Sequence, residues 1–128
     1  MNDKLQQLKT RLIEVSDLNS AVSVLNWDMS TYMPPGGAEA RGRQMALLGR
    51  LAREQFIDPE SGRLLDELQP WAEGLPYDSD EAALVRVTRR EYERSVRVPP
   101  ALMAAFSEHA SATYNLWVEP RPANDFAR

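Results

Sequence analysis

Few residues in this chain have the right type and spacing to do chemistry, so each can be weighed in turn. There is one histidine, His109, in 128 residues, and there is no cysteine. That excludes thiolate zinc sites, iron–sulfur clusters, disulfides, the H-E-x-x-H zinc box and multi-histidine metal centres within a single chain. As a general base, His109 needs a nucleophile and an orienting acid, and neither a G-x-S-x-G elbow nor an S-x-x-K pair is present. Its place beside an apolar helical stripe predicts a half-buried, hydrogen-bonded histidine.

Asp78, Asp80 and Glu81 are close enough in sequence to attract a hard cation. They lack the glycine and the twelfth-position glutamate of a calcium loop, and they read more simply as the acidic start of a helix. The basic stretch VRVTRREYERSVR (85–97) is interrupted by Glu91 and Glu93, so intrahelical pairing on a solvated face is expected. Arg41, Arg43, Arg50 and Arg53 form a second basic group. Gly36-Gly37 precedes a helix, but no G-x-x-x-x-G-K-[ST] follows it. The formal net charge of −4 argues against nucleic acid or an anionic membrane as a partner. The polar start MNDKLQQLKTR has no apolar core behind it, and no run reaches membrane-spanning length, so a soluble, cytoplasmic protein is expected.

The elements that position these residues follow from periodicity. Leu5, Leu8, Leu12, Val15, Leu18, Val22 and Leu25 recur every three or four residues and predict a helix over about 3–27. Pro34-Pro35-Gly36-Gly37 ends it in a turn, with glycine available for positive φ. Helical spacing resumes over 38–56. Asp58-Pro59-Glu60 starts a third helix, expected to close at Pro70. A fourth opens at Asp78 and ends before Pro99-Pro100. A fifth, 100–118, carries Met103, Phe106, Ala110, Thr113 and Trp117 on one stripe. The expected fold is all-α: one domain of about five antiparallel helices without a sheet, with an irregular tail at 119–128.

The run LNSAVSVLNWDMSTYMPPGGAEARGRQMALLGRL (18–51) resembles the N-terminal signature of the carboxypeptidase Taq family of metallocarboxypeptidases. Trp27, Asp28, Thr31, Met33, Pro34, Gly36, Arg41 and Gln44 stand at the signature positions. The likeness continues at DPESGRLLDEL (58–68), VRVTRREYERSVRVP (85–99) and NLWVEPRPANDFAR (115–128), with Pro120 in place of the usual alanine.

The resemblance implies a helical fold with a deep groove, whose wall and lid include the N-terminal helices. It also implies a parent activity, the release of C-terminal residues from peptides with bound zinc or cobalt. Family members are several times longer, and their metal box, third glutamate ligand and substrate-carboxylate residues lie downstream of this match. No catalytic or metal-binding position is therefore expected here. The signature residues are expected to be structural, with Trp27 as a core anchor, Asp28 bonding amides in the turn and Arg41 pairing with an acid after it.

Two readings stay open: a fragment without catalysis of its own, or a stand-alone module that dimerises or binds a partner helix. A minimal hydrolase using His109 is a third. The partner is expected to be the missing catalytic body or a second copy, with Leu5, Leu8, Leu12, Met103, Phe106 and Trp117 as the apolar surface concerned.

Overall fold

The computed structural model describes residues 1–125 and 127, omitting the side chains of 111, 114 and 115. Among the described residues there are five helices: α1 (Asn2–Thr31), α2 (Ala38–Phe56), α3 (Pro59–Glu73), α4 (Asp80–Val96) and α5 (Pro100–Val118). A single 3-10 turn, Pro35–Gly37, leads into α2. There is no strand among the described residues, so the fold is all-α. None of the described helices is long and apolar enough to cross a membrane. Backbone contacts group the chain into two compact units, Met1–Arg97 and Val98–Arg128.

In the first unit, α1 is 30 residues long, about 45 Å at 1.5 Å per residue. It is the support on which two successive helices lie. Arg41 of α2 meets Asp28, and Gln55 meets Glu14. Beyond the break, Asp58 meets Arg11 and Glu67 of α3 meets Lys4. As the numbers rise on one side they fall on the other, so α2 and α3 together run antiparallel along the whole of α1. Asp58 caps the break: its carboxylate accepts from the Glu60 amide at 2.7 Å, and Pro59 takes the first helical position, where no amide is needed.

α4 then folds back on α3. Their close approach depends on Gly62, where a Cβ would lie 2.6 Å from the Tyr92 hydroxyl oxygen. The Tyr92 ring stands edge-on to Phe56, with centroids 6.3 Å apart.

The buried core sits at one end of this unit. Leu5 and Leu8 of α1, Leu65, Leu68 and Ala72 of α3, and Val85 of α4 form one cluster, with Leu12, Trp71, Leu84 and Tyr92 packed against it. Leu5 and Leu8 are thus buried inside the chain itself and cannot serve as a docking surface. Toward the other end cover is thin. Of α2 only Ala52 is buried, and Ile13, Val24, Leu47 and Leu51 are exposed.

Two boundaries differ most from the sequence expectation, while α4 begins at Asp80 instead of Asp78. α1 continues past Trp27 to Thr31, because nothing before Pro34 interrupts it. Ser30 and Thr31 also fold their hydroxyls back onto the Asn26 and Trp27 carbonyls. α3 runs through Pro70 to Glu73. In its last turn the proline forfeits one amide, while Trp71 and Ala72 beyond it gain core contacts.

In the second unit, α5 is followed by turns over 119–124. Asn124 adopts a left-handed φ of 52°, and the Asp125 amide returns to the Pro120 carbonyl at 3.0 Å. The expected tail at Phe126 and Arg128 lies outside the described residues.

Candidate functional site

The signature residues converge on the turn between α1 and α2, and the centre of the group is Arg41. Its Nη1 donates to the Asp28 carboxylate at 2.7 Å and to the Leu25 carbonyl at 3.0 Å. Its Nε donates to Gln44 Oε1 at 3.3 Å, one turn along α2. The Arg41 side chain is 19% exposed and that of Asp28 is 33% exposed, so the pair is partly shielded from water. One planar guanidinium thereby ties the end of α1 to the start of α2.

The division of labour differs from the expected one. The amides of the turn, Tyr32 at 3.0 Å and Met33 at 2.9 Å, go to the backbone carbonyl of Asp28. Its carboxylate is left for Arg41, whose acid partner therefore precedes the turn rather than following it. This arrangement became possible because α1 runs on for a further turn and brings Asp28 into line with α2.

The remaining signature positions shape the chain path. Thr31 Oγ1 donates to the Trp27 carbonyl at 2.8 Å. Pro34 is extended, with φ −66° and ψ 151°, and its carbonyl accepts from the Gly37 amide at 2.9 Å. Neither glycine adopts positive φ. The close approach is at Gly37, where a Cβ would come within 3.3 Å of Met33 Cγ, while Gly36 faces open space. Met33 thus folds over the turn. Trp27 is 57% exposed and is no core anchor. Its ring lies tilted against Tyr32 at a centroid distance of 5.5 Å, a contact that no local sequence signal announces. The two aromatics are five residues apart across the helix end, a spacing that only the extension of α1 makes meaningful.

The other sequence candidates do not join this cluster. His109 is exposed on α5 instead of half-buried. Ser79, rather than the neighbouring acids, caps α4, its hydroxyl oxygen accepting from the Ala82 amide at 3.4 Å. The basic residues of α4 are engaged: Arg89 with Asp66 at 2.7 Å and Glu93 at 3.3 Å, Arg94 with Glu91, and Arg86 with the Tyr77 carbonyl and ring face. Arg43 and Arg50 pair within α2 with Glu39 and Glu54. Arg53 donates to the Ser95 carbonyl at 2.8 Å and links α2 to α4.

A shallow cleft of about 350 Å³ lies between α3 and α4, with Arg63, Asp66, Arg89 and Glu93 at its edge. Asp66 and Glu93 both pair with Arg89, while Glu60 and Glu67 pair with Arg63. The hydrogen bond from Arg63 holds the Glu60 carboxyl below its ordinary range, and the one from Lys4, aided by Arg63, does the same for Glu67.

No group of three or more His, Cys, Asp or Glu among the described residues is placed to hold a metal ion. The carboxylates that cluster are neutralised by arginine and lysine, so the residues present do not fit the zinc or cobalt that the family resemblance implies. What the arrangement at the turn provides is a clamp. It contains no nucleophile with an adjacent base.

The sequence profile of the carboxypeptidase Taq (M32) metallopeptidase family matches residues 7–128. Thermostable carboxypeptidase 1 of Thermus thermophilus is 35% identical over 117 residues, covering 88% of this chain and 22% of that protein. Carboxypeptidase 1 of Bacillus subtilis is 28% identical over 119 residues, covering 91% of this chain and 23% of its own length. Among solved structures, the M32 carboxypeptidase from Deinococcus radiodurans superposes with a TM-score of 0.78 at 36% identity, over 98% of this chain and 25% of that one. The chain therefore spans about a quarter of the length of these relatives. A match that runs through all five helices, with the Asp28–Arg41 clamp formed inside it, places the chain in the carboxypeptidase Taq (M32) metallopeptidase family.

Proposed function

We propose that this chain is the N-terminal helical portion of a Taq-type metallocarboxypeptidase, a structural part of the substrate groove without catalysis of its own. The parent activity in this reading is the metal-dependent release of C-terminal amino acids from peptides. One observation carries it: a family match over residues 7–128 that accounts for only about a quarter of each relative. The composition supports it, since metal-assisted peptide hydrolysis takes about three protein ligands and a water, and this chain has one histidine and no cysteine. The setting proposed is cytoplasmic, and the acidic charge suits a chain with no nucleic-acid partner.

The test is a turnover assay on the purified chain with zinc or cobalt, using one peptide with a free C-terminus and its C-terminally blocked twin. The expected result is no release from either. Reproducible metal-dependent release from the free peptide, abolished by His109→Ala, would overturn the reading in favour of a minimal hydrolase.

A further inference from the structure

The cleft of about 350 Å³ between α3 and α4 has no part in the clamp, and its volume is at the low end for small-molecule sites, about 300–1,000 Å³. Gly62, Arg63 and Asp66 line it from one side of α3, and Arg89, Tyr92 and Glu93 from one side of α4. At Gly62 the missing side chain leaves room for the Tyr92 hydroxyl, since a Cβ there would lie 2.6 Å from that oxygen. The Tyr92 ring is braced by Phe56, yet its hydroxyl makes no hydrogen bond among the described residues.

The charged groups around the cleft keep bonding capacity in reserve. Arg63 spends three of its five N–H groups on Glu60 and Glu67. Arg89 directs Nη1 and Nη2 to one oxygen, Asp66 Oδ1, at 3.0 and 2.7 Å, and its Nε faces Glu93 Oε1 at 3.3 Å. Asp66 Oδ2 and Glu93 Oε2 are thus open acceptors, on side chains 70% and 51% exposed. Two guanidinium groups and two carboxylates sum to zero, so the cleft favours neither a bare anion nor a bare cation. It suits a small molecule that carries both charges close together.

We propose that this cleft binds a free α-amino acid, the product class of the parent activity, so that released product bridges α3 to α4. The carboxylate accepts from the Tyr92 hydroxyl and from a spare N–H of Arg63 or Arg89, and the ammonium donates to Asp66 Oδ2 and Glu93 Oε2. The ligand side chain points outward, so the cleft recognises the zwitterion and not the residue type. A dipeptide fits less well, because one more residue moves its two charges about 3.8 Å further apart. The choice of ligand rests on the carboxypeptidase reading above, whereas the site itself requires neither metal nor turnover.

Titration of free leucine into the purified chain, followed through amide shifts by two-dimensional NMR, tests it. The Gly62 and Glu93 amides are expected to move with a Kd on the order of 1 mM. N-acetylleucine lacks the positive charge, leucinamide lacks the negative one, and leucyl-leucine separates them; each should bind about tenfold more weakly. Tyr92→Phe should weaken leucine by about tenfold as well. Glu93→Gln, on an exposed side chain away from the core, should weaken leucine and remove most of its advantage over N-acetylleucine. Arg43→Ala, on α2 and outside the cleft, should leave the affinity unchanged. No movement at Gly62 up to about 50 mM leucine, or equal affinity for leucine, its amide and its acetyl derivative, would overturn the proposal. Such a failure leaves the family reading standing, while metal-dependent peptide release by the chain would overturn that reading and not this site.

Discussion

Replacing Arg41 by alanine removes the one side chain that ties α1 to α2 at their turn. Three bonds go at once: to the Asp28 carboxylate, to the Leu25 carbonyl and to Gln44. A buried charge-assisted hydrogen bond contributes about 1.5–3 kcal/mol, and a fully exposed ion pair about 0.2–1 kcal/mol. With side chains 19% and 33% exposed, the pair lies between these limits. The expected loss is about 1–2 kcal/mol, seen in urea as a midpoint lower by roughly 0.5–1 M at an unchanged slope. A double-mutant cycle of Arg41→Ala with Asp28→Asn should return a coupling of about 1 kcal/mol. Arg41→Lys should recover less than half of the loss, because an ammonium cannot reach all three acceptors in one plane. Arg43→Ala is the control, since its pair with Glu39 is 67% and 92% exposed and should change stability by less than about 0.5 kcal/mol. If Arg41→Ala shifted the midpoint no more than Arg43→Ala, or if the coupling were near zero, the turn would not be clamped as described.

Gly62→Ala should destabilise by about 1–3 kcal/mol through the Tyr92 hydroxyl, although alanine is normally the better helix former; thermal melts should show Tyr92→Phe recovering part of it. Leu65→Ala, in the core, should cost about 3–5 kcal/mol, while Leu51→Ala, on the exposed side of α2, should cost under about 1 kcal/mol, both read from urea midpoints. Glu60 and Glu67 have carboxyls held low in the folded chain, so their contribution is present above the unfolded carboxylate range and disappears as the pH falls through the folded values. Urea midpoints should therefore decline between about pH 5 and pH 3, less steeply in Glu60→Gln, and added salt should shrink the difference because both groups are at the surface.

The periodicity of Leu5 to Leu25 was enough to place α1, and the prolines at 34, 59 and 99 marked the breaks between helices, because those signals are local. What escaped depended on distance. The spacing of apolar residues along α1 is the same at both ends, yet Leu5 and Leu8 are fully covered while the far half packs on α2 alone. The difference comes from α3 and α4, which reach only one end. Trp27 stays exposed for the same reason, since an aromatic at a helix end is buried only if a third element arrives to cover it. Arg41 and Asp28 were legible as residues that would pair with something. That they pair with each other follows from the final turn of α1, which no cap or breaker in the sequence announces. Pro70 signals a stop because its effect on the backbone is local, while the core contacts of Trp71 and Ala72 that carry the helix past it are not.

The antiparallel path of α2 and α3 along α1 also sets an order in time. Contacts at the turn join residues close in sequence, Asp28 with Arg41. Contacts farther down, Glu14 with Gln55 and then Lys4 with Glu67, close progressively larger loops. Once the first pair holds, each later one closes a loop already shortened by those before it, so assembly can proceed like a zipper from the turn toward the leucine core. On a ribosome α1 is complete before any of its partners has emerged, and the strongest packing, at Leu5 and Leu8, must wait for the last of them. Of these helices the one made earliest is thus the one secured last. A chain halted after α2 would hold its turn closed while leaving those leucines in water.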